Sequence, residues 1–493
     1  MAFLKRVLIG IMFVSLVAGA DLLAQGSKPA ATRTDPEQKT TPSPTFQRKD
    51  PRTMKFEELK FTPPKPERTT LENGMTVFLL EDHELPTVDA VAITRTGSIF
   101  EPAEKLGLAS LTGTVLRSGG TKNVPADKLN EELEYLAASI ETSISAEQAT
   151  ASLSLMKKDL DRGLELFADV LRNPAFAEDR LNIAKDQLKE AIRRRNDIPS
   201  TLATIEFNKL LYGPNHALAR IPTAETVDRI TREDLVQFHQ KYFHPNSMIL
   251  GISGDFKASE MVAKLNAAFK GWEKDDVTYP PVELVKLEFK KSVNLIERPI
   301  DQTNIRMGHL GIKLSNPDFF PLSVMNSILG SGFHSRLVNE IRTRMGLAYS
   351  VGSILSPGDR DYGDFWIQFE TKPETTIKAM EAALTQVKKM QEELVTQEEL
   401  DTAKDIVLNS FVFQFSNSAQ IVSRRVTYFY LGLPDNFLET YRDKVAKVTR
   451  EDVQRVARQY LHPDQFVILA VGNSKKFDQP LSTLGEAQTI TVK

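Results

Sequence analysis

Two side chains seven residues apart, Arg342 and Tyr349, offer the sharpest chemistry in this 493-residue sequence. A guanidinium and a phenol both donate hydrogen bonds, and set side by side they would do so where negative charge develops. Seven residues is close to two helical turns, so the spacing predicts both on about one face if the segment stays helical. The competing reading pairs the arginine with a helix-surface acid and packs the tyrosine in the core. Just upstream, Gly330-Ser331-Gly332 precedes His334-Ser335-Arg336-Leu337. Glycines there permit tight turns and close backbone approach to an extended peptide, and a plain loop between helices fits equally well.

Other chemistry is scarce. There are no cysteines, which excludes disulfides, thiolate metal sites and cysteine nucleophiles. The seven histidines stand at 83, 216, 239, 244, 309, 334 and 462, and none forms an i, i+4 pair with a glutamate. His244 and His462 end equivalent helices and read as caps. With 62 basic against 65 acidic residues the net charge is −3, which implies no polyanionic partner such as nucleic acid. A hydrophobic content of 41% with 26% charged residues is globular, and the length suggests two large domains or about three smaller ones.

The elements that must position these groups begin after a targeting segment. Lys5 and Arg6, the apolar run Val7–Val17 and small residues ending at Ala20 or Ala24 make residues 1–24 a signal peptide. The alternative is an uncleaved membrane anchor, although the run is short of the roughly 20 residues a span needs. Residues 25–66, broken by Pro42, Pro44, Pro63, Pro64 and Pro66, read as a flexible leader or a swapped arm. The expectation is an exported, soluble chain, with a bacterial periplasm as its natural compartment.

The body is a tandem repeat. Val227–Gly254 aligns without gaps on Val445–Gly472, a shift of 218 residues, with Thr-Arg-Glu-Asp, a tyrosine, His-Pro and the last glycine coinciding. Thr231 and Thr449 each cap a helix, Asp234 and Asp452 sit at its third position, and a β-branched run follows as a strand. Leu181–Asp186 repeats as Leu400–Asp405, and apolar stripes (Leu160, Leu164, Phe167, Leu171 and Ile377, Met380, Leu384, Val387) mark a helix upstream of each. In the first half, Asn73-Gly74 turns just before a strand at 75–80, 87–94 alternates as a partner strand, and helices over 125–140, 157–171 and 178–195 follow. These signals predict an α+β fold of two homologous domains, 67–274 and 292–480, each a mixed or antiparallel sheet with helices on one side. A hinge-like linker, 275–291, joins them, and 481–493 is a tail.

The sequence resembles the pitrilysin/insulysin superfamily of zinc peptidases, in its mitochondrial processing peptidase-like branch, over about 70–475. The resemblance rests on Leu71–Asp82 (LENGMTVFLLED), Gly107-Leu108-Ala109, Gly120-Thr121, the two TRED…HP…G ends, and the run from Glu340 through Arg342, Gly346 and Tyr349. It implies a His-x-x-Glu-His zinc motif directly after Gly-Leu-Ala and a ligand glutamate about 77 residues later. Here those positions hold Ser110, Gly113, Thr114 and Ala191; Glu190 would serve only by a one-residue slip. Hydroxyls are poor zinc ligands, and the carboxylate that would take the proton of a metal-bound water is missing. The resemblance further implies that Arg342 and Tyr349 face a zinc site and polarise a scissile carbonyl, with Gly330 and Gly332 in a substrate-binding loop. The expectation is therefore the non-zinc subunit of a two-chain peptidase. It binds no cofactor itself, its homologous partner carries the zinc, and peptides or unfolded proteins are the substrates. A scaffold subunit, or a protein that captures peptides at a sheet edge, is the alternative.

Overall fold

The computed structural model describes residues 63–492, so the expected signal peptide and most of the leader lie outside the described residues. Among the described residues twelve strands form two six-stranded sheets. The first contains β1 (Glu67–Thr70), β2 (Thr76–Glu81), β3 (Thr87–Arg95), β4 (Ser139–Ile144), β5 (Gln148–Met156) and β6 (Met248–Gly254), in the order β1-β2-β6-β3-β5-β4. The second contains β7 (Ser292–Glu297), β8 (Thr303–Leu310), β9 (Ala348–Ser356), β10 (Asp364–Thr371), β11 (Val467–Gly472) and β12 (Ala487–Thr489), in the order β12-β7-β11-β8-β10-β9. Both are mixed. The β2–β6, β7–β11 and β7–β12 pairs are parallel, and the other ladders are antiparallel. Among the described residues no helix is long and apolar enough to cross a membrane.

The repeat is visible atom by atom. Thr231 accepts from the Asp234 amide and Asp234 accepts from that of Thr231, and Thr449 and Asp452 repeat the box at the start of Arg450–Tyr460. Each helix then leads through a short 3₁₀ turn, Pro245–Ser247 or Pro463–Gln465, into the buried central strand β6 or β11. The helix over 125–140 is shorter than its pattern predicts. It spans Ala126–Tyr135, and Ala137 turns left-handed (φ 48) to start β4 at Ser139.

Helices packed on one side is right for each half's own helices, and the other face carries one exchanged helix. Val77 and Leu79 face the main core of the first half. Their neighbour Phe78 points the opposite way, onto Val422, Val426 and Tyr430 of helix Ser418–Tyr430, which comes from the second half. Reciprocally, Leu202, Phe207 and Leu211 of helix Pro199–Tyr212, from the first half, cover Leu310, Leu469 and Val471 of the second sheet. Both central strands are therefore buried on both faces, as a half-exposed sheet would not be.

Two expectations about connections change. The chain over 275–291 is extended but tied down: the Tyr279 hydroxyl donates to the Arg95 carbonyl (3.0 Å), and the Val285 amide donates to buried Asp361 (2.8 Å). Within the expected tail, residues 481–492 are tied to the second half, because Leu481 and Leu484 are buried and β12 adds to the second sheet beside β7.

Candidate functional site

The degenerate zinc positions lie on helix Leu108–Ser118. Gly107 precedes it at φ 103, a conformation open to glycine, and its missing side chain lets Leu188 and Pro222 close in. No side chain of the first helical residues caps it. Instead the buried Glu101 carboxylate accepts from the Gly107 amide (3.1 Å) and the Ala109 amide (2.5 Å). Burial pushes this carboxyl up to about 7, against the pull of those two donors and of Arg220. Glu101 was not marked by any sequence pattern; an acid seven residues before a helix has no fixed capping spacing.

Ser110 and Thr114 are exposed, and the Thr114 hydroxyl donates back to the Ser110 carbonyl (3.0 Å). Gly113, at the position of the general base, faces inward against β4. A Cβ there would stand 2.5 Å from the Ile144 nitrogen and 2.9 Å from the Ser143 carbonyl carbon. The Thr142 hydroxyl clasps the Gly113 carbonyl at 2.7 Å. Any side chain at this position would begin against strand backbone. Helix Glu178–Arg194 packs beside Leu108–Ser118 and carries exposed Ala191 and Glu190. The Glu190 carboxylate is taken up by Arg193 (2.8 Å) and Arg194, and the Arg193 hydrogen bonds hold it down to about 2. It is not directed at a metal. These residues do not fit zinc, and among the described residues no cluster of three or more His, Asp or Glu does.

The other predicted pair does come together, by a different route. The segment is not a continuous helix. It runs as a π-helical turn, Val338–Arg344, breaks at Met345 and Gly346 (φ 64), and enters β9 at Ala348. The reversal folds Tyr349 back over Arg342, with Cζ 5.0 Å from the ring centroid. Phe333, which the sequence reading passed over, stands 5.2 Å from the same guanidinium. Its signal was an aromatic directly after Gly330-Ser331-Gly332. Opposite Glu370 of β10 the register skips Tyr349 and Ser350, a bulge that leaves both exposed where a regular strand would alternate.

Neither part of the competing reading describes this pair. Tyr349 is 82% exposed and Phe333 69%. The neighbouring acid, Glu340, is bound to Arg344 instead. Among the described residues Arg342 makes no ion pair or hydrogen bond, so its donors are free for a ligand. The two glycines divide. Gly330 is packed on its own chain, since a Cβ would sit 2.3 Å from the Ser353 nitrogen, whereas Gly332 turns left-handed (φ 97) in open space. The His-Pro histidines differ: His244 stands at the N-cap of the 3₁₀ turn Pro245–Ser247, its amide donating to the Ser247 hydroxyl (3.4 Å), whereas the His462 ring lies tilted 4.1 Å from Phe289 and its amide donates to His309 (3.2 Å).

The family description "Insulinase (Peptidase family M16)" matches residues 76–212, and "Peptidase M16 inactive domain" matches residues 229–407. The chain belongs to the insulinase-type peptidase family. The non-peptidase homolog YmxG of Helicobacter pylori is 28% identical over 404 residues, 81% of this chain and 92% of that one. The crystal structure of a peptidase M16 inactive domain from Pseudomonas fluorescens superposes with a TM-score of 0.78 at 27% identity, covering 85% of this chain and all of that one. The periplasmic protease PqqL of Escherichia coli shares the fold, with a TM-score of 0.71 at 16% identity over 84% of this chain and 46% of its own. The zinc-motif positions Ser110, Gly113 and Thr114 lie in the half that matches the insulinase description, and Arg342 and Tyr349 lie in the half that matches the inactive-domain description.

Proposed function

We propose that this insulinase-family chain is the non-zinc subunit of a two-chain exported metallopeptidase. It supplies Arg342 and Tyr349 to a zinc site held by a homologous partner, and half of the surface that encloses a peptide. The observation that carries this reading is the open Phe333–Arg342–Tyr349 cluster, a free guanidinium held between exposed rings. Such a cluster contributes little to folding, and exposed cation and aromatic groups held together are the stuff of binding sites. In the assembled enzyme, the Tyr349 hydroxyl and the Arg342 guanidinium donate to the carbonyl oxygen of the scissile peptide as negative charge builds on it. The metal and the proton-accepting carboxylate belong to the partner. Export rests on Lys5, Arg6 and the apolar run after them, and the fold neighbour described as periplasmic is in keeping with it.

The second reading is a peptide-binding or structural subunit without catalytic contribution, which the name of the Helicobacter relative favours. One experiment separates them. The purified chain is mixed with a homologous chain bearing His-x-x-Glu-His, and cleavage of a quenched peptide is followed alongside size-exclusion chromatography. Activity that appears only in a one-to-one complex supports the proposal. Full activity from the zinc-bearing chain alone refutes it.

A further inference from the structure

Among the described residues two arginines are buried, and their charges are met differently. Arg425, 8% exposed, is bound to Glu439 and donates to the Asp435 carbonyl (2.8 Å). Arg306, 9% exposed on β8, makes no ion pair, and its guanidinium has one long hydrogen bond, from Nη2 to Oε1 of Gln368 on β10 (3.4 Å). A charge in this state is costly, because water has been removed and nothing has replaced it. Burial pushes the guanidinium down to about 10, against the pull of Asp364. Nε and Nη1 have no partner, yet neither is sealed from solvent, so the unused N–H groups reach the surface.

The guanidinium lies on the Trp366 indole, with Cζ 4.0 Å from the ring centroid. Trp366 pairs across the ladder with Gly308, where a Cβ would stand 2.6 Å from the Trp366 Cα and 2.8 Å from its Cβ, so a residue without a side chain is needed there. The indole N–H donates to Asp364 (3.2 Å), which fixes the ring and engages the acid whose charge Arg306 feels. On its other flank Arg306 pairs with Leu469 of β11, which is buried and offers no charge.

We infer that Arg306, stacked on Trp366, is a carboxylate subsite that takes a glutamate or aspartate side chain of a bound peptide. A guanidinium laid on an aromatic face presents its N–H edge in its own plane, the geometry that grips a planar carboxylate with two parallel bonds. The bulge that carries Tyr349 lies opposite Glu370, two residues along β10 from Gln368. Two strand spacings and two residue rises put Arg306 about 12 Å from that bulge, which an extended peptide crosses in roughly three to four residues. Glu370 is exposed and repels a second negative charge, so the subsite takes one acid rather than an acidic run. The inference deepens the reading above and rests on it for a peptide as the ligand. Its test needs no zinc-bearing chain, so the two can fail separately.

The probe is a fluorescein-labelled, unstructured ten-residue peptide with one central glutamate, compared with the same peptide carrying glutamine there. Anisotropy on the purified chain should show saturable binding of the first, and binding weaker by about tenfold or more of the second, since hydrogen bonds to a charged group are worth at least roughly that factor. Arg306→Met should abolish the difference and leave the melting temperature equal or higher, because an apolar side chain of similar length removes an unpaired buried charge. A purely structural arginine predicts the reverse, a lower melting temperature with the preference unchanged. If that variant fails to fold, the two peptides still decide on a Trp272→Phe chain, where Trp366 is the one tryptophan left and its fluorescence should respond to the glutamate peptide alone. Inorganic phosphate at millimolar concentration should not displace the peptide. No saturable binding, equal binding of the two peptides, a preference that survives Arg306→Met, or displacement by phosphate would overturn the inference.

Discussion

Replacing Gly113 by alanine tests whether the zinc position has been closed or only emptied. In a helix interior the change should stabilise by about 1 kcal/mol, because glycine is the poorer helix former. The structure predicts the opposite sign. The new Cβ would stand 2.5 Å from the Ile144 nitrogen and 2.9 Å from the Ser143 carbonyl carbon, both of them strand backbone that cannot swing aside. Helix Leu108–Ser118 must then lift from β4, loosening the 2.7 Å bond from Thr142 to the Gly113 carbonyl. Overpacking of this kind costs roughly 1–3 kcal/mol and a stretched hydrogen bond about 1 more, so the balance is a net loss of about 1–3 kcal/mol. Urea unfolding reads it as a lower midpoint at unchanged slope. Ser110→Ala, on the exposed side of the same helix, is the control and should stay within about 0.5 kcal/mol. A Gly113→Ala chain as stable as the parent, or more stable, would show that β4 yields and that the site has room.

Three further outcomes follow from the same geometry. The purified chain should hold no stoichiometric zinc after dialysis against a weak chelator, and S110H/G113E/T114H should not restore it, because two histidines without a third ligand at Ala191 are an incomplete set and the residue at 113 is crowded by β4 backbone; metal analysis decides. In a verified complex with a zinc-bearing partner, Tyr349→Phe should lower turnover about 10²–10³-fold with the melting temperature unchanged, and Arg342→Ala should also raise KM; wild-type kinetics for Tyr349→Phe would remove the hydroxyl from the mechanism. Burial holds His239 and His309 down to about 4, so the unfolded chain gains protons below about 6.5 that the folded chain refuses. Their contribution is complete above about pH 6.5 and declines as pH falls toward 4, by up to about 1.4 kcal/mol per unit for each. Glu101, raised to about 7, acts in the opposite sense by losing stability as pH rises. The comparison is therefore between the chain and its His239→Gln variant at pH 7 and pH 5, and an equal loss in both would refute the assignment.

What could be read in advance follows the range of the interactions. Capping boxes at Thr231 and Thr449, the strands after them and the Asn73-Gly74 turn depend on neighbours within a few residues, and all stand where the pattern put them. Helices Pro199–Tyr212 and Ser418–Tyr430 are rich in apolar residues, but nothing in their sequence says that these serve the other half's sheet. The residues Ala487–Thr489 carry no apolar alternation, and their strand exists only through pairing with β7. For Arg342 and Tyr349 the pairing was legible and its cause was not. Helical spacing suggested one face, while the contact arises from a chain reversal at Gly346 and a bulge opposite Glu370.

The zinc-motif positions and the Arg342–Tyr349 cluster contrast, and that contrast bears on function more than either site alone. At the zinc position the space is used for packing: Gly113 seats the helix on β4, Thr142 clasps it, and the Ser110 and Thr114 side chains are left at the surface. Each replacement there suits a folded chain with no metal to hold. Around Arg342 the reverse is true. A bulge, an exposed tyrosine, an exposed phenylalanine and an uncharged sheet edge all leave groups unsatisfied, and folding stability has no use for any of them. A scaffold that had lost both halves of the chemistry would be expected to close both. Closure of one with the other held open fits the proposed role, in which the remaining contacts would be made with a peptide and with a partner's metal site.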